Sequence, residues 1–255
     1  MSKIYITGDC HADFHKFSSD SFPEQKELTK DDFVIVCGDF GLWHDSGQER
    51  YWLNWLNEKS FTLLFVDGNH ENFDRLYGGE FEVVDFLGGQ AHKIRESVYH
   101  LMRGNVFNLG GKKVFAFGGA SSHDIKDGIL EPDDYASLLD LKNEYKRLTS
   151  SGKMVRINHL SWWAEEMPSK EEMNFGLNTL QKHNNKVDFI VSHCCPQHIA
   201  SLFSHGLYKH DELTSYFDEV ASNTEFSKWF FGHYHDDRAV YDQYIMLYDQ
   251  IVQIA

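Results

Sequence analysis

Short runs of Ile, Val, Leu and Phe punctuate the chain, each followed by a glycine or a polar turn. Lys3 to Thr7, Phe33 to Cys37 and Phe61 to Val66 come first, then Lys113 to Phe117, Val187 to Ser192 and Lys228 to Phe231. Runs this short and this uniformly apolar predict strands covered on both faces; one-sided strands would alternate with polar residues. Between the second and third runs, Gln48 to Asn57 sets Trp52, Trp55 and Leu56 at helical spacing. A right-handed β–α–β unit follows, with both tryptophans turned to the core.

Ser169 to His183 reads as a helix entered through Ser169, with Glu172 three residues on completing a capping box. Asp133 to Thr149 is a second, more polar helical stretch after the loop Asp124 to Pro132, and it looks like an insertion or lid at about 124–155. Arg238 to Ile254 reads as successive antiparallel strands. Strands mixed with helices and closed by a meander imply an α/β fold, a layered α/β/β/α sandwich with two mixed β-sheets. One domain over residues 1–255 is expected, with specificity carried by the segments 71–112 and 121–168.

Composition changes this picture in three ways. A chain of 255 residues with 42% hydrophobic and 15% aromatic content can bury a sizeable core, which excludes a disordered tail. No apolar run reaches membrane-spanning length, and Met1, Ser2 and Lys3 lead directly into a β-like run, so no membrane partner and a cytoplasmic location are expected. The formal charge of −15 opposes phosphate backbones and argues against long nucleic acid as a partner. Cys10, Cys37, Cys194 and Cys195 lack zinc-finger spacing and read as small buried hydrophobes.

Fifteen histidines remain to be explained, and their placement carries the chemistry. Five strand runs end alike: ITGDCH at 6–11, VCGDF at 36–40, VDGNHE at 66–71, VSHCC at 191–195 and FGHYH at 231–235. In four of them Gly8, Gly38, Gly68 or Gly232 stands just before the first polar group, where a missing Cβ permits a sharp turn and close approach. If the strands are parallel, their carboxyl ends bring Asp9, His11, Asp39, Asn69, His193, His233 and His235 to one crevice. Mixed oxygen and imidazole donors suit borderline divalent ions such as Mn, Fe or Zn, with Mn expected to serve in vitro. Seven donors exceed the need of one tetrahedral ion, whereas two ions about 3.5–4 Å apart can share a carboxylate, for which Asp39 is the natural bridge.

These fragments in this order, DxH, GD, GNH[ED], H and GHxH, resemble the calcineurin-like metallophosphoesterase superfamily over residues 4–235. The resemblance implies one metal on Asp9, His11, Asp39 and His235, and a second on Asp39, Asn69, His193 and His233. It further implies hydrolysis of a phosphomonoester or phosphodiester, with the water or hydroxide between the ions as nucleophile. His70 matches the family's non-ligand histidine, which stabilises the phosphoryl oxygens or protonates the leaving group.

Departures narrow the branch. The serine/threonine protein phosphatases continue GDxxDRG and place Arg before GNHE, whereas Leu42, Trp43 and Asp67 stand here, so the acid that would orient His70 and two phosphate-gripping arginines are missing. Ala12 replaces the Gly that commonly follows DxH. A second likeness is to bacterial and phage members with a GGAxS loop followed by an Arg and a WW-acidic segment, here Gly118, Gly119, Ala120, Ser122, Asp124, Arg156, Trp162 and Trp163. Arg156 is a candidate for gripping phosphate, the alternative being an ion pair with Glu165 or Glu166, and His123 is a substrate-side candidate in the same loop. The tryptophans either wall the cleft or pack.

A small phosphorylated metabolite, a nucleotide or a short oligonucleotide fits the charge best as substrate. The competing readings are a nuclease or cyclic-nucleotide phosphodiesterase, which needs a stacking platform, and a catalytically silent scaffold that binds a protein through its acidic surface. Such scaffolds usually lose ligands, and this chain keeps all seven.

Overall fold

The computed structural model describes residues 2–42 and 44–255; Trp43, one of the departures noted above, lies outside them. In chain order the strands and helices are β1 (Ile4–Thr7), β2 (Phe33–Val36), α1 (Gly47–Asn57), β3 (Thr62–Phe65), α2 (Phe73–Tyr77), β4 (Glu82–Phe86), β5 (Gly89–Arg95), β6 (Val98–Leu101), β7 (Asn105–Leu109) and β8 (Lys112–Phe117). They continue with β9 (Gly128–Leu130), α3 (Leu138–Ser150), β10 (Val155–Ile157), α4 (Lys170–Lys182), β11 (Phe189–Ser192), α5 (Gln197–Ser204), α6 (Glu212–Asn223), β12 (Lys228–Phe231), β13 (Arg238–Val240), β14 (Tyr244–Met246) and β15 (Val252–Gln253).

Two mixed sheets form the body, one ordered β15-β1-β2-β3-β6-β5-β4 and the other β13-β14-β12-β11-β8-β7. Their packing can be read residue by residue. Ile4, Ile6, Ile35 and Leu64 of the first sheet meet Val114, Ala116, Val191 and Phe230 of the second in one buried cluster between the sheets. The alternate residues Tyr5, Val34, Val36, Leu63 and Phe65 face outward and are covered by Leu53 and Leu56 of α1 with Phe14 and Phe17. On the far side Phe115, Phe117, Ile190, Trp229 and Phe231 are covered by Leu180, Ile199, Leu213 and Phe217 from α4, α5 and α6. The uniformly apolar runs thus arise because each face meets a different apolar partner, and the result is the α/β/β/α sandwich.

The capping box of α4 forms on Ser169 and Glu172. Trp52 and Trp55 are only half-buried, and Leu53 with Leu56 supplies the deep contacts of α1. Residues 73–109 are largely α2 and β4 to β7, which extend both sheets. Two expectations need correction. The helix expected from Asp133 starts at Leu138, because Pro132–Asp134 forms a 3-10 turn and Ser137 provides the cap, its side chain accepting from Asp140 N. Only β13 and β14 of the C-terminal stretch pair antiparallel with each other; β14 runs parallel to β12. β15 crosses to the other sheet beside β1. Apolar alternation specifies a strand but not its neighbour.

Candidate metal centre

β1, β2 and β3 are mutually parallel, as are β8, β11, β12 and β14, so the carboxyl ends of both parallel sets face one crevice. Backbone bonds lace the loops there. Cys10 N and His11 N donate to Asp39 O at 3.0 and 2.7 Å, and Gly232 N donates to His193 O at 2.9 Å. Two glycines show why the chain needs no side chain at these turns. A Cβ on Gly68 would lie 2.0 Å from Asp39 Oδ1, and one on Gly232 would lie 2.1 Å from Asp9 Oδ1.

Two groups of donors result, Asp9 with His11 and His235, and Asp9 with Asp39 and His193. His235 Nε2 and His11 Nε2 lie 3.1 and 3.6 Å from Asp9 Oδ2, and 3.1 Å from each other. Asp39 Oδ2 stands 3.3 Å from His193 Nε2 and 3.8 Å from His11 Nε2. Asn69 Oδ1 joins the second group 3.2 Å from His193 Nε2. His233 sits at its margin, with its ring 4.9 Å from that of His193 and its backbone N–H donating to Asp9 Oδ1 at 2.9 Å. Four of these residues have positive φ: His11 at 48°, Asp39 at 46°, His233 at 69° and His235 at 52°. Such left-handed backbone at non-glycine positions costs about 1–3 kcal/mol each and persists where surrounding structure fixes it. Ala12, at φ 60°, shows why a glycine is the easier choice after DxH.

The donor set fits a metal by three tests. Asp9 and Asp39 are buried carboxylates, and Asp9 Oδ2 accepts no hydrogen bond of good geometry. His193 Nδ1 lies 2.7 Å from the Cys37 carbonyl, which takes its N–H and leaves Nε2 for a cation. Burial pulls His193 down, yet the Asp39 and Asp9 carboxylates and the Cys37 carbonyl outweigh it and push it up to about 10, the mark of a site that demands positive charge. Burial and the neighbouring His193 hold His233 neutral, down at about 3.

His70 stands beside the donors. Its N–H donates to Asp39 Oδ1 at 2.8 Å, and its ring lies 5.6 Å from that of His11. Burial lowers its pKa, and Arg156 and His11 add to this against the pull of Asp39. Arg156 is therefore near enough to act on His70, but its partner is Asp124, reached by Nε at 2.7 Å, and neither Glu165 nor Glu166. His123 Nε2 lies 3.1 Å from His233 Nε2, so this loop histidine covers the donor group. Trp163 packs, buried, with its indole N–H donating to Asp74 at 2.7 Å. All four cysteines are buried and unpaired, and burial pushes Cys10 and Cys195 up to about 12.

Sequence reasoning missed three supporting side chains. Glu71, the acid of GNHE, accepts the N–H groups of Phe40, Gly41 and Leu42 and pins the loop after β2. Glu166 is buried and accepts from Ser122 N at 2.8 Å and Ser122 Oγ at 2.6 Å, while Asn69 Nδ2 donates to Ser122 Oγ at 3.2 Å. That chain turns the Asn69 carbonyl toward His193. Arg103 pairs with the buried Asp67 at 2.9 and 2.5 Å, so the position that holds an arginine in the protein phosphatases is here an internal acid already neutralised. The capping residue Glu172 and the motif acid Asp67 were visible in the sequence; their shared partner Arg103 was not.

The chain belongs to the calcineurin-like phosphoesterase family, whose model matches residues 2–237. It is a metal-binding phosphoester hydrolase by that membership. Among curated proteins it is similar to lariat debranching enzyme A of Xenopus laevis, 26% identical over 155 residues, which is 52% of this chain and 27% of that protein. It is similar also to the lariat debranching enzyme of Danio rerio, 25% identical over 167 residues, 55% of this chain and 27% of that one. The aligned part thus spans about a quarter of these relatives' length. No helix among the described residues is long and apolar enough to cross a membrane.

Proposed function

We propose that this protein is a dinuclear phosphodiesterase acting on a nucleotide or short oligonucleotide, with one ion on Asp9, His11, Asp39 and His235 and the other on Asp39, Asn69, His193 and His233. The observation that carries it is the position of Asp39 Oδ2, 3.3 Å from His193 Nε2 and 3.8 Å from His11 Nε2, which together with Asp9, common to both donor groups, draws the two groups into one centre. Two divalent ions, when bound, supply Lewis acidity to the phosphoryl oxygens and acidify water at neutral pH. The chain's own residues do the rest. His70, held by its backbone bond to Asp39, presents an imidazole whose lowered pKa favours the neutral form, a hydrogen-bond donor to a phosphoryl oxygen rather than a strong acid. Arg156 adds positive charge on the same side while Asp124 fixes its guanidinium. His123 restricts the approach over His233.

The relatives' name, lariat debranching enzyme, supports the diester side, since debranching severs a link between segments rather than a terminal phosphate. The charge of −15 supports a small substrate over a long polymer. The test is metal stripping and reconstitution with Mn, Fe or Zn, followed by assay of methyl p-nitrophenyl phosphate and p-nitrophenyl phosphate in wild type and Asp39→Asn. We expect two metal equivalents, faster diester than monoester hydrolysis, and a loss of about a hundredfold or more in the variant. Failure to bind metal, or a diester rate indifferent to Asp39→Asn, overturns the proposal.

A further inference from the structure

A cleft of about 460 Å³ opens immediately beside the donor His11, on the side of α1. Phe14, Phe40 and Leu53 form its buried floor, and Phe40 is itself stacked on Phe65 at 4.1 Å, so that floor is firmly backed. The half-buried Trp52 makes a wall, edge-on to Phe14 at 5.9 Å and to His15 at 5.0 Å. Asp13 and Gln48 stand exposed at the mouth.

From these observations we infer that the cleft is the subsite for the nucleobase of a nucleotide diester whose phosphate lies at the Asp9–Asp39 centre, an inference that rests on the diesterase reading. Three constraints select this occupant. His11 and Ala12 belong both to the cleft lining and to the loop of the donor centre, so the group in the cleft is a near neighbour of the phosphate. Among the described residues lining the cleft none is Lys or Arg, and its two acids are already engaged, Glu49 by Arg75 and Asp13 by His15, each at 2.5 Å, so the lining offers no lysine or arginine to a second phosphate or a carboxylate and suits a neutral group. Aromatic walls take flat rings, since every base has a π-face, and the volume falls in the range of single small-ligand sites rather than of polymer grooves. Asp13 at the mouth meets the backbone N–H and ring of His15 through Oδ1, and its other oxygen, Oδ2, is the acceptor for an exocyclic amine, which makes an adenine-bearing probe the appropriate one.

The metal-reconstituted protein is assayed on two diesters with the same leaving group, the p-nitrophenyl ester of adenosine 5′-monophosphate and methyl p-nitrophenyl phosphate, and adenosine binding is measured by calorimetry. We expect the adenosyl ester to be favoured in kcat/KM, and the adenosyl-to-methyl ratio to fall about tenfold in Trp52→Ala, as the loss of one base–aromatic contact allows, and to recover in Trp52→Phe. Gln48→Trp, at an exposed helical position, blocks the mouth and lowers the same ratio should Trp52→Ala fail to fold. A wild-type ratio near one, or a ratio that none of these variants moves, overturns the inference and leaves the diesterase reading standing. If neither ester is hydrolysed, the diesterase reading fails, and adenosine binding decides the cleft alone: heat of binding lost in Gln48→Trp supports it, and no heat in the wild type overturns it.

Discussion

The floor of the site and its rim are built on different physical terms. The floor consists of loops that leave β1, β2 and β3 of one sheet and β11 and β12 of the other, and its carboxylates are buried, its turns closed by glycines and four of its donors held at positive φ. The rim, residues 121–166, rests on the two-stranded ribbon β9/β10 and on polar ties, two within it, Arg156 to Asp124 and Ser122 to Glu166, and one to α2, His159 with Trp163 to Asp74. Backbone N–H groups fix the floor, joining one short motif to another. Side chains far apart in sequence fix the rim, and only the finished fold joins them. The difference teaches that the donor floor has no room for an added atom at Gly68 or Gly232, whereas the rim, held by side-chain ties, can change partners more freely.

The sharpest way to break this contrast is to add one methyl to the floor. Gly68→Ala drives a Cβ into Asp39 Oδ1 and into Asp39 N at 2.3 Å. We expect a loss of about 3 kcal/mol in stability, at the upper end of over-packing, and a loss of bound metal, read by thermal melting and metal quantification. A melt and metal content equal to wild type would remove the rigid-floor picture. One step down, Glu166→Gln puts an N–H₂ where Ser122 needs an acceptor and loosens the rim's hold on Asn69. Metal affinity should fall about tenfold, as when an outer partner of a ligand is lost, with little change in melting temperature. The reverse pattern, lower melting and unchanged affinity, would make Glu166 a packing residue only. The smallest effect is expected from Ala12→Gly, which relieves the left-handed strain at φ 60° and, after the entropy cost of glycine, should raise stability by about 0.5 kcal/mol in denaturant melts. A decrease would mean the Ala12 methyl contributes more to the neighbouring cleft than its backbone costs.

The same contrast separates what the sequence revealed from what it concealed. The floor was legible because strand, glycine and donor lie within a few residues, as in ITGDCH or VDGNHE, so local sterics and ligand chemistry appear together. The capping box of Ser169 and Glu172 was legible for the same reason. Arg156 is a candidate for phosphate with an ion pair to Glu165 or Glu166 as its alternative, and the ion pair it forms is with Asp124; Glu166 instead serves Ser122. Nothing in a single sequence says which of several acids faces a given cation once a ribbon such as β9/β10 is formed. Asp67 was seen as a departure, while its buried partner Arg103 sits 36 residues on, in the turn between β6 and β7. The crossing of β15 to the β1 edge was hidden because the run Val252–Gln253 is too short to name its neighbour, and Gln253 pairs with Tyr5, 248 residues before it.

That crossing has a consequence for the order in which the molecule assembles. β1, whose end carries Asp9 and His11, completes its pairing through Tyr5 with Gln253 and Ile6 with Val252, partners nearly the whole chain apart. Contacts of such long sequence separation reward the chain only after its largest loop-closure entropy has been met, which makes them slow to form. The strand that begins the donor set is therefore among the last to be sealed at its edge, and a nascent chain exposes that edge until Val252 and Gln253 are made.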